Sequence, residues 1–343
     1  MLRAFHVTGP DALEMRAMEM PSPGPGEVVL GIRAALTCGT DVKLVRRGHP
    51  RMPFPTRIGH EYAGVVLASG AGARFREGDA IMTTPTAPCG RCGLCLRGSE
   101  NLCDEAMRSM TLGGFADALL LPRAIVETNA YLKPPQLEWS HAALLEPLSC
   151  VVQGLERIQL RAGESVAILG AGPIGLMQLL LARARGADPV IVVGRHAARL
   201  DAARRLGARV LDEQALPGDE LARSVRELTG GLGADVVIEC VATPQGWEQA
   251  VTLARRGGRV LWFGGCRPGT TVPLDTHRMH YDEITATGVF HQSPRSVREA
   301  QRLLASGELD VAPLISETLP LESLPQALDR VARGECLKLA LAP

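Results

Sequence analysis

The sequence predicts an α/β chain in two parts, a strand-and-turn region followed by a doubly wound parallel sheet. Three observations carry this. From Glu164 onward, short apolar strands alternate with helical stretches, the pattern of a parallel sheet wound on both faces. A glycine motif, Gly170-Ala-Gly172-Pro173-Ile174-Gly175, stands between the first of those strands and the first of those helices. Before Trp139 the chain instead carries β-rich runs divided by Pro-Gly punctuation such as Pro21-Ser-Pro-Gly-Pro-Gly26. A length of 343 residues is enough for two cores.

Taken in order, residues 27–36 and 61–68 read as strands, and residues 113–121 as a further strand of the same sheet. Residues 140–155 read as a helix with Ser140 as its cap. Strands at 165–169, 189–193, 235–240 and 259–263 then alternate with helices at 174–185, 198–206 and 245–255. After Gly288, a helix at 296–306 and a strand near 337–341 return to the first part. The domains expected are 1–149 with 288–343, and 150–287.

Composition narrows the class. Formal net charge is zero, with 46% hydrophobic and 22% charged residues, so no global field draws the chain to nucleic acid or an anionic membrane. The first residues lack the apolar core of a signal peptide. The longest apolar stretch, 166–182, is interrupted by Gly170, Gly172, Pro173 and Gly175 and does not suit a membrane span. A soluble cytoplasmic protein is expected.

Cys89, Cys92, Cys95 and Cys103 are separated by two, two and seven residues, and Gly90, Gly93 and Gly98 let the backbone curl between them. Four thiolates so placed suit a closed, tetrahedral structural zinc. An iron–sulfur cluster takes the same ligands, whereas disulfides would need an oxidising compartment. Cys150, Cys240, Cys266 and Cys336 lie among apolar neighbours in sequence and read as buried thiols.

In the glycine motif, Gly170 permits the tight turn, Gly172 the approach of a pyrophosphate, and Gly175 close helix–strand packing, with Pro173 and Ile174 opening the helix. An NAD site usually presents a carboxylate about 20 residues further on, at the end of the next strand. This chain has Gly194, Arg195 and His196 there, so a guanidinium replaces the acid and NADP is preferred over NAD.

Cys38-Gly-Thr40-Asp41, Gly59-His60-Glu61, the four-cysteine lobe, Leu145-Glu146-Pro147-Leu148 and the glycine motif occur in this order. In that respect the whole chain resembles the zinc-dependent medium-chain dehydrogenases. The Glu-Pro-Leu segment makes it most similar to the sorbitol (polyol) and threonine dehydrogenase branch. The resemblance implies a GroES-like β-barrel catalytic domain carrying both zinc sites and a Rossmann domain for the dinucleotide. It implies a catalytic zinc held by Cys38, His60 and Glu146 with one position open, Glu61 being an exchangeable ligand. Thr40 then takes the alcohol proton, and Lys43 stands where a histidine often continues the relay. Lys43 either relays, if burial depresses its pKa, or points to solvent while water carries the proton. Asp41 is expected to orient its neighbours.

Gly264, Val289 and Phe290 match loops that contact the nicotinamide through backbone groups, and His291 reads as a surface histidine. Arg46, Arg47, His49 and Arg51 form a basic loop, either solvated or reading a charged substrate. The implied reaction moves hydride between NADP(H) and a secondary alcohol, a polyol or the corresponding ketone, in a homotetramer or homodimer. A threonine-type dehydrogenase using NAD is the alternative within the class, and a catalytically silent nucleotide- or zinc-binding protein the alternative outside it.

Overall fold

A computed structural model describes residues 1–49 and 52–343. They divide into two compact units, Met1–Cys150 with His291–Pro343, and Val151–Phe290.

The first unit is built on a seven-stranded sheet. Its path runs Ile315–Pro320, Lys338–Ala342, Val28–Leu36, Tyr62–Ser69, Ala80–Thr83, Ala130–Leu132, and Ala118–Leu121 also pairs with Val28–Leu36. Val28–Leu36 is buried at every residue but Arg33, which explains why it reads as a continuous apolar run and not as an alternation. Leu30, Leu119, Leu339 and Leu341 from these strands meet in one core. The strand Lys338–Ala342 lies antiparallel to Val28–Leu36, with Ala340 opposite Leu36, and so carries Lys338 to the neighbourhood of Glu61. A hairpin of Leu2–Gly9 and Ala12–Met18, extended by Thr56–Arg57, makes a second small sheet.

The second unit is a six-stranded parallel sheet. Its order is Arg209–Asp212, Val190–Gly194, Val166–Leu169, Ala234–Glu239, Ala254–Trp262, Thr285–Gly288. The order reverses beside Val166–Leu169, the topological switch point at which α/β sheets bind ligands. Helix Pro173–Ala184 starts at this point with Gly172 as its cap and Pro173 in its first turn. Gly170 has φ 107°, and a Cβ on Gly175 would lie 1.9 Å from the Gly170 carbonyl oxygen. The turn and the close approach both require glycine.

Three expected elements differ. The helix expected over 140–155 is two helices, Trp139–Ala142 and Leu145–Arg157. Pro147 has no N–H to donate and is tolerated only in a first turn, so the helix restarts at Leu145, and Ser140 falls inside the shorter helix instead of capping it. The strand expected over 113–121 is confined to Ala118–Leu121. Gly113 is at φ 123°, and the Gly113 and Gly114 N–H groups both donate to the Gly59 carbonyl at 3.0 Å, which makes a turn of that segment. The helix expected to run to Arg255 stops at Leu253, where Ala254–Trp262 begins pairing. No helix among the described residues is long and apolar enough to cross a membrane.

Candidate active site

Cys38 caps helix Gly39–Arg47, its Sγ accepting from the Thr40 N–H at 3.5 Å while Asp41 Oδ2 accepts from the Cys38 N–H at 2.9 Å. The other Asp41 oxygen lies 3.3 Å from His60 Nδ1. One buried carboxylate thereby positions two metal-ligand candidates and leaves His60 Nε2 as the metal-facing nitrogen. Burial opposes the charged form of His60, but Asp41, followed by Cys38, outweighs it and holds the imidazole pKa well above its ordinary value.

Glu61 is fully buried, and Lys338 Nζ donates to its Oε1 at 2.7 Å and to the Thr37 carbonyl at 3.1 Å. Burial pushes the Glu61 carboxyl up against the opposing pull of Lys338. The Lys338 ammonium stays charged, because Glu61 outweighs the effect of its burial.

Donor atoms of Cys38, His60 and Glu61 all lie within 4.8 Å of one another. Glu146 belongs to a neighbouring cluster with Cys150 and His291, whose donors also lie within 4.8 Å of one another. The expected set Cys38, His60 and Glu146 is thus divided over two adjoining clusters. Burial pushes Glu146 up to about 7, against the attraction of His60.

Cys150 does not sit in apolar surroundings: its Sγ is 3.7 Å from Glu146 Oε1 and 3.0 Å from Gln292 Oε1. The reason is that residues four apart share a helix face, and Glu146 occupies the other position. Nor is His291 a surface histidine. Its Nε2 is 2.6 Å from Thr86 Oγ1, its backbone is left-handed at φ 60°, and burial, aided by His60, pushes its pKa down to about 4. The Glu146-x-x-x-Cys150 spacing was a sequence signal for the first pair, whereas nothing local to residue 291 announces its position. Of the remaining thiols only Cys336 is buried; Cys240 and Cys266 are half-buried, because each follows the C-terminal end of a strand of the parallel sheet.

Thr40 and Lys43 are both exposed on helix Gly39–Arg47. Lys43 therefore lies on the solvent side of the helix, whose buried face belongs to Asp41 and Leu44. Arg46 and Arg47 end the same helix and are exposed, His49 makes an isolated backbone bridge with Met52, and Arg51 lies outside the described residues.

In the four-cysteine lobe the Cys92 and Cys95 sulfurs are 3.5 Å apart and those of Cys92 and Cys103 4.0 Å. Zinc–sulfur bonds of about 2.3 Å in a tetrahedron place sulfurs about 3.8 Å apart, so the lobe fits a single zinc ion. Sulfurs this close surround one ion and not a cluster of several irons. Backbone N–H groups of Arg91 and Cys92 pull the Cys89 thiol down to about 6, which favours the thiolate a metal needs, whereas burial pushes Cys95 up to about 12.

In the parallel-sheet unit a pocket is lined by Gly170, Gly172, Gly194, Arg195, His196 and Arg199, among others. Helix Pro173–Ala184 points its first turn, with Pro173, Ile174 and Gly175, at this turn of chain. Its unpaired N–H groups suit a pyrophosphate. Glu213, from the end of the neighbouring strand, supplies the pocket with a carboxylate that the sequence pattern did not reveal, as Arg199 supplies an unforeseen guanidinium. Gly264 lies outside this lining. Its N–H donates to the Glu239 carbonyl at 2.9 Å and its carbonyl accepts from Trp247 Nε1 at 2.8 Å. Val289 and Phe290 follow the edge strand Thr285–Gly288, Phe290 being 50% exposed.

The chain is similar to known proteins along its length. Residues 24–129 match the alcohol dehydrogenase GroES-like domain and residues 173–306 the zinc-binding dehydrogenase family. Sorbitol dehydrogenase of Bacillus subtilis is 30% identical over 96% of this chain and 94% of its own length. L-threonine 3-dehydrogenase of Bacillus velezensis is 30% identical over 96% and 95%. Among solved structures, a zinc-binding dehydrogenase of Sinorhizobium meliloti bound to NADP superposes with a TM-score of 0.90 at 32% identity, covering 100% of this chain and 99% of that one. With the GroES-like and parallel-sheet units, the cysteine lobe and the Cys38–His60–Glu61 donors on one chain, this protein belongs to the zinc-dependent medium-chain dehydrogenases, oxidoreductases that use a nicotinamide cofactor, in the sorbitol- and threonine-dehydrogenase-like branch.

Proposed function

We propose that the protein moves hydride between NADP(H) and a secondary alcohol or polyol, or the corresponding ketone, with one catalytic and one structural zinc per chain. Cys38 and His60, with a carboxylate from Glu146 or Glu61, hold the catalytic ion, and Cys89, Cys92, Cys95 and Cys103 the structural one. When bound, the catalytic zinc lowers the pKa of a substrate hydroxyl and polarises a carbonyl. The protein's own groups do the rest. Asp41 keeps the His60 ring aimed and the Cys38 backbone fixed. The Thr40 hydroxyl, on an exposed residue, accepts the alcohol proton as it passes its own to water, with no buried Lys43 in the relay. N–H groups opening helix Pro173–Ala184 hold the pyrophosphate, and Val289 and Phe290 serve the nicotinamide end.

The observation that carries the cofactor preference is the makeup of the dinucleotide pocket, where Arg195, His196 and Arg199 face one carboxylate, Glu213. The bound NADP of the Sinorhizobium meliloti relative supports the same reading. A guanidinium–phosphate contact contributes about 1.5–3 kcal/mol, roughly ten- to hundredfold in selectivity. The test is kcat/KM for NADP and NAD in the wild type and in Arg195→Ala. The variant should lose efficiency with NADP by about that factor and little with NAD. A wild-type preference for NAD would end the reading. The similarity to threonine dehydrogenases supports a second reading, an amino-alcohol substrate with NAD, which the same assay separates by including L-threonine.

A further inference from the structure

We propose that Glu146, Cys150 and His291 form a second seat for a divalent, thiolate-accepting cation of the zinc class, beside the Cys38–His60–Glu61 donors and able to be filled together with them. The three donors bring oxygen, sulfur and nitrogen, the ligand types of mixed zinc sites. All lie within 4.8 Å of one another, and the Glu146 Oε1–Cys150 Sγ separation is 3.7 Å. Bonds of about 2.0–2.3 Å to one ion set donors roughly 3.3–3.8 Å apart, so closing the seat needs side-chain shifts of about an ångström.

The donors are also held from behind. Glu146 and Cys150 project from one face of helix Leu145–Arg157. Thr86 Oγ1 meets His291 Nε2 at 2.6 Å and accepts from Gln292 Nε2 at 3.3 Å, while Gln292 Oε1 lies 3.0 Å from Cys150 Sγ. A network of this kind orients metal ligands. Half a turn of the Gln292 amide presents its N–H to the Cys150 thiolate once the proton has left, and the Thr86 hydroxyl then donates to the amide oxygen. His291 holds a left-handed backbone at φ 60°, which side chains other than glycine adopt rarely and mostly where a site fixes them. Glu146 has two carboxylate oxygens, so serving this seat does not remove it from the catalytic one.

The experiment counts ions. Wild type, Cys150→Ala and His291→Asn are equilibrated with excess zinc, desalted and measured by native mass spectrometry. Cys38→Ser and Cys38→Ser/Cys150→Ala are loaded with cobalt(II) while the cysteine lobe keeps zinc, and their thiolate-to-cobalt absorption is recorded. The proposal expects the wild type to hold one more ion than either Cys150→Ala or His291→Asn. It expects Cys38→Ser to keep a thiolate–cobalt band that disappears in the double variant. Equal ion counts in the wild type and both single variants, or no band in a folded Cys38→Ser protein that retains its lobe zinc, would overturn it. Loss of turnover in Cys38→Ser together with equal ion counts would reject the second seat and leave the dehydrogenase reading intact.

Discussion

Asp41 is fully buried and touches two of the residues proposed to hold the catalytic metal, at the Cys38 backbone and the His60 ring. Replacing Cys38 by serine removes a soft ligand while leaving that arrangement, so turnover should fall to background with the lobe zinc and the thermal transition retained. Metal analysis beside a melting curve checks both. Glu146 gives a pH-dependent prediction for the metal-free protein. Its carboxyl is raised from 4.5 to about 7, so the folded state binds the proton more tightly than the unfolded state. This contribution is fully present below pH 4.5 and is lost as pH rises through about 7. Glu146→Gln stays neutral, so relative to wild type it should gain stability between pH 5 and 8, by at most about 3 kcal/mol. Chemical denaturation of both proteins at the two pH values measures it; no change in their difference would mean that Glu146 is already ionised in the folded chain. Arg195, which drew notice in the sequence because it stands where an acid is usual, lines the pocket proposed for the cofactor. Gly194 is constrained as well, since a Cβ there would lie 3.0 Å from Ala171 Cβ. Arg195→Ala is therefore the cleaner cofactor variant than an aspartate at 194.

Single elements deliver distant residues to the site, and this is where sequence reading fell short. Strand Lys338–Ala342 was foreseen as a return to the first unit, but not that its first residue would be a buried partner of Glu61. A lysine in an apolar strand carries no local mark of its partner. Lys338→Met should destabilise the protein by about 3–5 kcal/mol, because it leaves the Glu61 carboxylate buried without its counter-charge. Lys338→Met/Glu61→Gln should recover much of that loss, as read by urea titration. The segment Leu145–Arg157 shows the same limit: the helix was expected from Ser140 although Pro147 favours a later start, and no periodicity reports the meeting of Cys150 with His291. The cysteine lobe was legible from spacing alone. Its turns, Cys95–Arg97 and Glu100–Leu102, are one turn long each and have no side-chain cap bond, so the ion should add to their order. Cys95→Ala should lose that zinc and lower the melting temperature, whereas an unchanged transition would deny the lobe a structural role.

Across the whole chain, the parallel sheet was readable because strands buried on both faces appear as unbroken apolar runs between helices. The sheet of the first unit was less so, since strands as short as Ala80–Thr83 and Ala130–Leu132 leave too few residues for a pattern. The N-terminal hairpin escaped for a different reason, as Ala12–Met18 is half exposed and mixes charge with apolar residues. What the fold then makes available is one chemistry, hydride transfer supported by zinc. The most direct measurement is the NADPH- and NADH-dependent reduction of a panel of ketoses, simple ketones and inosose-like ketones by zinc-loaded wild type and by Cys38→Ser. The wild type should turn over at least one of them with a higher kcat/KM for NADPH, and the folded variant, its lobe zinc in place, should not. Equal turnover by the two proteins would contradict the metal assignment on which the account rests.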